Sequence, residues 1–176
     1  MNSKPDLVLG TAEFGHPDYA PFPEKKEIVK ILNLAWNNGI RLLDTADTYN
    51  LEELEGLFGG FKKLNKSRTD KEAFYHYKPL ESRIEGVKKA SVYDLAQLEG
   101  LKEAILPLNI NNTTFASISW GMGTKRYARS VFDKGRLLSE GYSIQNCLDF
   151  VKRHPVDGVI VGVRSVDELL QVLNAW

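Results

Sequence analysis

The sequence has little cysteine and no excess of charge of either sign. Cys147 is the only cysteine among 176 residues, so no disulfide can form within the chain, which is typical of a reducing compartment. Lysine and arginine together number 23, as do aspartate and glutamate, and the formal net charge is zero. This balance argues against a nucleic-acid-binding surface and against an acidic interaction tail.

Long apolar runs are also missing. The start "MNSKPDLVLG" lacks the apolar core of a signal peptide, and no stretch approaches the roughly 20 apolar residues of a membrane span. We therefore expect a cytoplasmic protein with neither nucleic acid nor membrane among its partners. The content of 43% hydrophobic and 26% charged residues is that of a folded globular protein, which we expect to form a single domain over residues 1–176.

Short apolar segments alternate with helical patterns along the chain. The segments predict seven strands, which are "DLVLGTAEF", "IRLLDTADTY", "KEAFYHYKP", "VKKASVY", "NTTFASISW", "YARSVFDKG" and "GVIVGV". The helical patterns are "PEKKEIVKILNLAWNNG", "LEELEGLFGGFKK", "DLAQLEGLKEAI", "SIQNCLDFVKRH" and "SVDELLQVLNAW". This alternation predicts an α/β fold with a mainly parallel sheet, either open or closed as a barrel. On the pattern alone, the chain is short for a complete (β/α)₈ barrel of about 250 residues, which favours a small open sheet.

The second predicted strand ends in a group of polar side chains. Asp44, Asp47 and Tyr49 follow the apolar residues of "RLLDTADTYN". Two carboxylates and a phenol at the end of a strand predict either an acid/base site or a helix cap with a tyrosine packed on the helix.

Six stretches resemble the aldo-keto reductase family, especially its bacterial members, and they occur in the family's order. "LVLGTAEFG" resembles the opening "LGLGT..FG", and "GIRLLDTADTYNLEE" resembles the signature "GIN..DTA..YG.SE". The other stretches are "AFYHYKP", "EGVKKASVYDLAQLEGL", "ARSVFDKGRLL" and "GVIVGVRSVDELLQVL".

The resemblance implies an abridged barrel. In the family, a third strand ends in a catalytic lysine, but here "GGFKKLNKSRTDKEAFYHY" passes almost directly to the histidine strand. We therefore expect a shortened or distorted TIM-type (β/α) barrel of about seven strands that lacks one strand–helix unit. An unclosed barrel would leave a strand edge that a second copy could cover, which predicts a homo-oligomer.

The resemblance also implies a catalytic set. Members of the family reduce carbonyls with a nicotinamide cofactor, and a tyrosine donates the proton while a lysine, an aspartate and a histidine assist it. Asp44, Tyr49 and His76 match the aspartate, tyrosine and histidine, although His76 also fits a structural histidine. Lys78 follows His76 by two residues and shares its face if the strand continues, so it is our candidate for the lysine. The alternative is a solvated lysine at a strand end.

Six further residues match the family's contacts to NADP(H). Ser91 matches the serine at the nicotinamide amide, and Ser130 with Gly135 matches the loop around the pyrophosphate. Gly162, Arg164 and Ser165 match the phosphate-binding end of the eighth strand, where helix N–H groups and an arginine would hold an anion. The alternative makes Ser165 a helix cap and Arg164 a surface charge. Gln171 and Val172 stand where the family has the pair that holds the adenine, which weakens the case for tight binding.

Three functions follow from these residues. The first is an NADP(H)-dependent reductase of a small carbonyl compound, with Tyr49 as the proton donor. The second is an inactive reductase-like binding or structural protein that lost the lysine strand. The third is a different enzyme in which Asp44 and His76 form an acid/base pair.

Overall fold

Eight parallel strands form a closed barrel in the computed structural model, which describes residues 4–117 and 123–176. The strands are β1 (Asp6–Gly10), β2 (Leu42–Ala46), β3 (Lys62–Ser67), β4 (Phe74–His76), β5 (Lys89–Ser91), β6 (Glu103–Pro107), β7 (Lys125–Arg129) and β8 (Gly158–Gly162). They lie in chain order, and β8 pairs with β1 over five residue pairs to close the ring. The expected TIM-type barrel is thus confirmed, but the expected count of seven strands is wrong.

The interior of the barrel is filled by one layer of large side chains. Seven of the eight strands each contribute one residue to it, namely Val8, Leu42, Leu64, Phe74, Ile105, Tyr127 and Ile160. Because side chains alternate across a strand, the neighbouring residues point outward to the surrounding helices and loops. The interior is therefore a packed core, and the open end of the barrel begins above it.

Four α-helices in the described part of the chain cover part of the outside. They are α1 (Lys25–Asn37), α2 (Arg136–Ser139), α3 (Ile144–Lys152) and α4 (Val166–Ala175). The helical spacing of Ile28, Ile31, Leu32, Ala35 and Trp36 predicts an apolar face on α1; the first four are buried, whereas Trp36 is exposed. The helix stops before Gly39, whose φ of +84° is a left-handed conformation that glycine adopts without strain.

Two strands lie where the sequence predicted none. β3 occupies the end of a predicted helix, which is reduced to a 3₁₀ helix over Glu52–Phe58. β6 occupies the end of another predicted helix, of which a 3₁₀ turn at Leu95–Leu98 remains. The predicted strand "NTTFASISW" is wrong over 112–117, where turns replace it, and its last residues lie outside the described part of the chain.

Buried side-chain hydrogen bonds fix the loops that replace helices around β4 and β5. Gln97 is fully buried, and its amide nitrogen donates to the carbonyls of Lys78 (3.0 Å) and Glu81 (2.9 Å). Its amide oxygen accepts from the backbone N–H of Tyr93 at 2.8 Å. One side chain thus joins the loop after β4 to the loop after β5, which compensates for the missing backbone hydrogen bonds of a helix.

No helix in the described ranges has the length and apolar character needed to cross a lipid bilayer.

Candidate active site

The candidate site is a ring of side chains at the carboxyl end of the barrel. Each ring position lies two residues beyond a member of the interior layer, so strand alternation turns it toward the barrel mouth. The ring consists of Gly10, Asp44, Lys66, His76, Pro107, Arg129 and Gly162. Ser91 lies beside His76 in the register of β4 and β5. Barrel enzymes place their chemistry at this end.

Lys66 and Asp44 form a buried ion pair. Lys66 Nζ lies 2.6 Å from both Asp44 Oδ1 and Oδ2, and both side chains are almost wholly enclosed. Neither charge would be stable there alone, because a buried ion without a partner loses its hydration. The two residues therefore depend on each other.

The segment after β1 holds this pair and Tyr49 in place. The Thr11 backbone N–H and hydroxyl both donate to the Asp44 carbonyl at 3.0 Å. A Cβ at Gly15 would overlap the carbonyl oxygen of Tyr49, so only glycine fits there. The "GTAEFG" motif thus positions the "DTADTY" motif.

Tyr49 is buried and keeps its proton. Burial and the nearby Asp44 carboxylate raise the pKa of Tyr49 well above its ordinary value, and Arg129 opposes that rise. Lys66 Nζ lies 5.0 Å from the centre of the phenol ring. This geometry gives a protonated phenol beside a cation that can stabilise the phenolate left after proton donation.

His76 is a neutral imidazole at the same end of the barrel. Its burial and then the charges of Lys66 and Arg129 lower the pKa of His76 to about 4. A neutral imidazole carries one N–H, which can donate a hydrogen bond to a carbonyl oxygen.

The candidate lysine is Lys66, and the assignment of Lys78 is wrong. β4 ends at His76, so the alternation that placed Lys78 in the barrel mouth does not extend to it. The Lys78 side chain is exposed to solvent, while Lys66 contacts Asp44. Both Asp44 oxygens accept from Lys66, so the Asp44 carboxylate is already paired in this arrangement, and an acid/base role for Asp44 with His76 stays an untested alternative.

Ser91 fits the amide end of a nicotinamide. Its hydroxyl is buried and has no hydrogen-bond partner among the described residues. A buried unpaired hydroxyl is costly unless a ligand supplies the partner, and a carboxamide offers both a donor and an acceptor.

A tight loop after β7 begins at Ser130 and ends at Gly135. Ser130 has a φ of +59°, and its carbonyl accepts from Asn109 Nδ2 at 2.8 Å. Gly135, with a φ of +87°, uses its N–H for the Phe132 carbonyl at 2.9 Å and is the N-cap of α2. Both residues define the loop shape, and contact with a pyrophosphate stays a prediction.

The start of α4 does not fit a phosphate. The Arg164 N–H donates to Glu168 Oε2 at 2.6 Å, and the Val166 N–H donates to Glu27 Oε1 at 2.9 Å. The Ser165 hydroxyl accepts from the Glu168 N–H at 3.2 Å, which makes it a helix cap. Two of the chain's own carboxylates thus take the N–H groups that an anion would need.

Glu13, after Glu27 and Glu168, is the third residue whose carboxyl group lies near the end of β8 and the start of α4. A Cβ at Gly162 would overlap the Glu13 carboxyl group, so that side chain covers the end of β8. Desolvation raises the pKa of Glu13 to about 7, Asp44 adds to the rise, and the Arg164 charge opposes it.

Sequence reasoning missed Lys66, Glu13 and Arg129. A signal for a strand that carries Lys66 was present. Leu64 and Lys66 are two residues apart, as on one face of a strand, and the segment is bounded by "GG" before it and the turn residues "RTD" after it. Arg129 could have been found by counting two residues from Tyr127 along a predicted strand. Glu13 carried no signal, because only the fold brings it to Gly162.

Comparison with known sequences supports the resemblance. Residues 6–92 match the sequence model of the "Aldo/keto reductase family". This stretch contains Asp44, Tyr49, Lys66, His76 and Ser91. No curated protein sequence matches the chain.

Solved structures share the fold. One structure from Pseudomonas aeruginosa, named as the aldo-keto reductase PA4992, matches 98% of this chain and 91% of its own, at 18% identity and a TM-score of 0.72. A second from that organism, also named as an aldo-keto reductase, matches 98% and 90% at 17% identity and a TM-score of 0.74. Aldo-keto reductase AKR11C1 from Bacillus halodurans, in its holo form, matches 97% and 86% at 12% identity and a TM-score of 0.61. With the sequence match, these likenesses confirm the predicted family resemblance and the barrel.

Proposed function

We propose that this chain, an abridged relative of the aldo/keto reductases, is an oxidoreductase that reduces the carbonyl group of a small molecule with NADP(H). The observation that carries the proposal is the buried Asp44–Lys66 pair beside Tyr49, with neutral His76 at the same end of the barrel. The whole chain acts as one unit, in a cytoplasm whose reducing conditions leave Cys147 as a free thiol.

Tyr49 supplies the proton. His76 orients the carbonyl oxygen toward the phenol by donating its N–H. The phenol gives its proton to that oxygen, and Lys66 stabilises the phenolate that remains. Asp44 keeps Lys66 charged and in position, since its carboxylate offsets the cost of burying the ammonium group.

A bound nicotinamide would supply the hydride to the carbonyl carbon. Ser91 would hold its carboxamide, because this buried hydroxyl lacks a partner among the described residues. The adjacent loop from Ser130 to Gly135 is the remaining candidate for the cofactor's pyrophosphate. The start of α4 gives no support to phosphate binding in its described arrangement.

A second candidate is a reductase-like protein that binds a ligand without turnover. It is favoured by the carboxylates of Glu27 and Glu168 at the start of α4, because they oppose a cofactor phosphate there. The two candidates differ in one measurement, the oxidation of NADPH by an aldehyde.

The test follows NADPH consumption with 4-nitrobenzaldehyde in the wild type and in Tyr49→Phe. We expect turnover in the wild type and a loss of about 10²–10⁴-fold in the variant, the usual contribution of general acid catalysis. NADPH binding, measured by fluorescence titration, should be unchanged in Tyr49→Phe. Binding by the wild type without turnover would instead establish the second candidate.

A further inference from the structure

A polar cavity lies beside the candidate site, at the ends of β6 and β7. Its volume is about 600 Å³, and it is lined by Tyr93, Asn109, Arg129, Ser130 and Arg136 together with other polar residues. The cavity adjoins the barrel mouth through Arg129, which belongs to both. Such a cavity is large enough for a small organic molecule.

Two arginines line the cavity, but only one of them is neutralised. Arg136 donates to Asp133 (2.8 Å from Nε to Oδ2) and to Glu140 (3.1 Å). Arg129, in contrast, makes no ion pair with any described residue. Its guanidinium donates to two neutral oxygens, the Val92 carbonyl at 2.9 Å and the Ser130 hydroxyl at 3.3 Å.

The guanidinium of Arg129 is also held rigidly. It stacks on the Tyr93 ring at 4.4 Å from the ring centre, and its Nε is buried without a hydrogen-bond partner among the described residues. A partly buried guanidinium without a counter-ion loses part of its hydration, and an anionic ligand would offset that cost. Carboxylate and phosphate groups match its planar array of donors best.

The position of Arg129 connects the cavity with the carbonyl site. Arg129 lies two residues beyond Tyr127 and so faces the barrel mouth. Its charge lowers the pKa of both His76 and Tyr49, which places it within electrostatic reach of the two residues that bind the carbonyl oxygen. Arg129 thus belongs both to the ring at the barrel mouth, with His76, and to the lining of the cavity.

We propose that Arg129 binds an anionic oxygen group of the substrate, so that the preferred substrates are aldehydes or ketones that carry a carboxylate. This inference rests on the proposed carbonyl reduction for its substrate class. The start of α4 does not compete for the anion, because Glu27 and Glu168 already take its N–H groups. A phosphate of the cofactor has the same chemistry, and the experiment separates the two sources.

The kinetic test compares 4-carboxybenzaldehyde with the uncharged 4-nitrobenzaldehyde. We expect Arg129→Gln to lower kcat/KM for the carboxylate substrate by about 10- to 100-fold more than for the neutral one, the worth of a charge-assisted hydrogen bond; a loss shared by both substrates would reflect its effect on Tyr49 and His76. Arg129→Lys, which keeps the charge but not the planar fork, should recover part of the loss. Arg136→Gln is the matched control in the same cavity, and it should keep the preference for the carboxylate.

Equilibrium titrations with benzoate and with NADPH provide the readout that does not need turnover. Weaker benzoate binding by Arg129→Gln, with unchanged NADPH affinity, supports the substrate carboxylate. Loss of NADPH affinity alone would assign the anion to the cofactor and overturn the substrate class. Unchanged binding of both probes would overturn the whole inference. If the wild type lacks turnover but Arg129 governs benzoate binding, the proposed reduction fails while the anion site stands.

Discussion

Lys66 and Lys78 differ by only twelve positions but lie in opposite environments. Lys66 is buried against Asp44, and Lys78 is exposed. Because Lys66 Nζ lies 5.0 Å from the centre of the Tyr49 ring and Lys78 faces solvent, we expect Lys66→Met to lower NADPH oxidation strongly while Lys78→Met leaves it unchanged. Steady-state rates with one aldehyde would show the difference. Equal losses in both variants would contradict the assignment.

The Lys66→Met variant also removes the partner of a buried carboxylate. Asp44 would then be unpaired in an enclosed site, which typically costs about 3–5 kcal/mol of folding free energy when one member of a buried pair is deleted. A double variant with Asp44→Asn should recover part of this stability without recovering turnover. Urea unfolding of the single and double variants separates the structural role from the chemical one.

Glu13 makes stability depend on pH. Its pKa in the folded protein, about 7, lies above the ordinary value of 4.5. The folded state therefore holds this proton more tightly, and the associated stability is complete below about pH 4.5 and is lost as the pH rises through 7. Burial of a charged Glu13 is thus unfavourable in alkaline solution.

We expect Glu13→Gln to be more stable than the wild type at pH 8, on the order of 1–2 kcal/mol after allowance for solvent screening, and nearly equal to it at pH 4.5. His76 changes stability in the opposite direction, because its lowered pKa makes the folded state less stable as the pH falls below 6.5. That effect is common to both proteins and cancels in the comparison. A stability difference independent of pH would refute the role of Glu13.

Among the elements, the start of α4 offers a test of whether the end of β8 binds a cofactor or contributes only to the stability of the fold. Ser165 caps this helix through the Glu168 N–H at 3.2 Å. We expect Ser165→Ala to lower the free energy of unfolding by about 1 kcal/mol, the usual worth of an N-cap, and to leave NADPH affinity unchanged. Thermal unfolding and a fluorescence titration measure the two effects. A large loss of NADPH affinity would return Ser165 to the cofactor site.

Sequence reasoning located β1 and β8 from a continuous apolar pattern. β1 and β8 are rich in leucine, valine and isoleucine, because both faces of a parallel strand are buried. β3 reads "KKLNKS", and only Leu64 in it is apolar. The inward-facing residue of β3 next to the barrel mouth is Lys66. A charged residue therefore stands where an apolar residue would have indicated a buried strand.

β6 was missed for a different reason. "EAILP" follows "DLAQLEGLK" without a turn signal other than Gly100, and the combined stretch has helical spacing. The buried amide of Gln97 ends the helical turn by pairing with loop carbonyls of distant segments, which no local pattern reveals. The candidate residues Asp44, Tyr49 and His76 were named because the stretches around them resemble the family's motifs, and they lie in or just after strands that the sequence predicted.

Across the whole molecule, the barrel interior leaves little free volume. A Cβ at Gly158 would lie 2.7 Å from Tyr127 Cδ1 and 3.3 Å from Val8 Cγ2. Gly158→Ala must displace the Tyr127 ring from the interior layer, and we expect a loss of about 1–3 kcal/mol, as for other overpacked cores.

Gly56→Ala is the matched control for this substitution. Nothing lies within 4 Å of a Cβ at position 56, and its backbone needs no left-handed conformation. Chemical unfolding of both variants should show destabilisation for Gly158→Ala alone. Equal stabilities would mean that the interior layer tolerates an added methyl group.

The expected homo-oligomer stays a prediction, but its original reason has changed. A closed ring from β1 to β8 leaves no strand edge within the described residues for a second copy to pair with. Any self-association would have to use side chains on the outer surface. Sedimentation equilibrium would give the mass in solution directly.

The pairing of β1 with β8 has a consequence for how the protein is made. The two strands share five residue pairs, whereas β1 and β2 share three, yet β8 lies about 150 positions further along the chain. On a ribosome, β1 emerges first and must wait for the last strand before most of its backbone partners exist. The nascent chain therefore exposes an apolar strand, "LVLG", from the synthesis of β1 until that of β8, which is the interval in which chaperones would have to protect it.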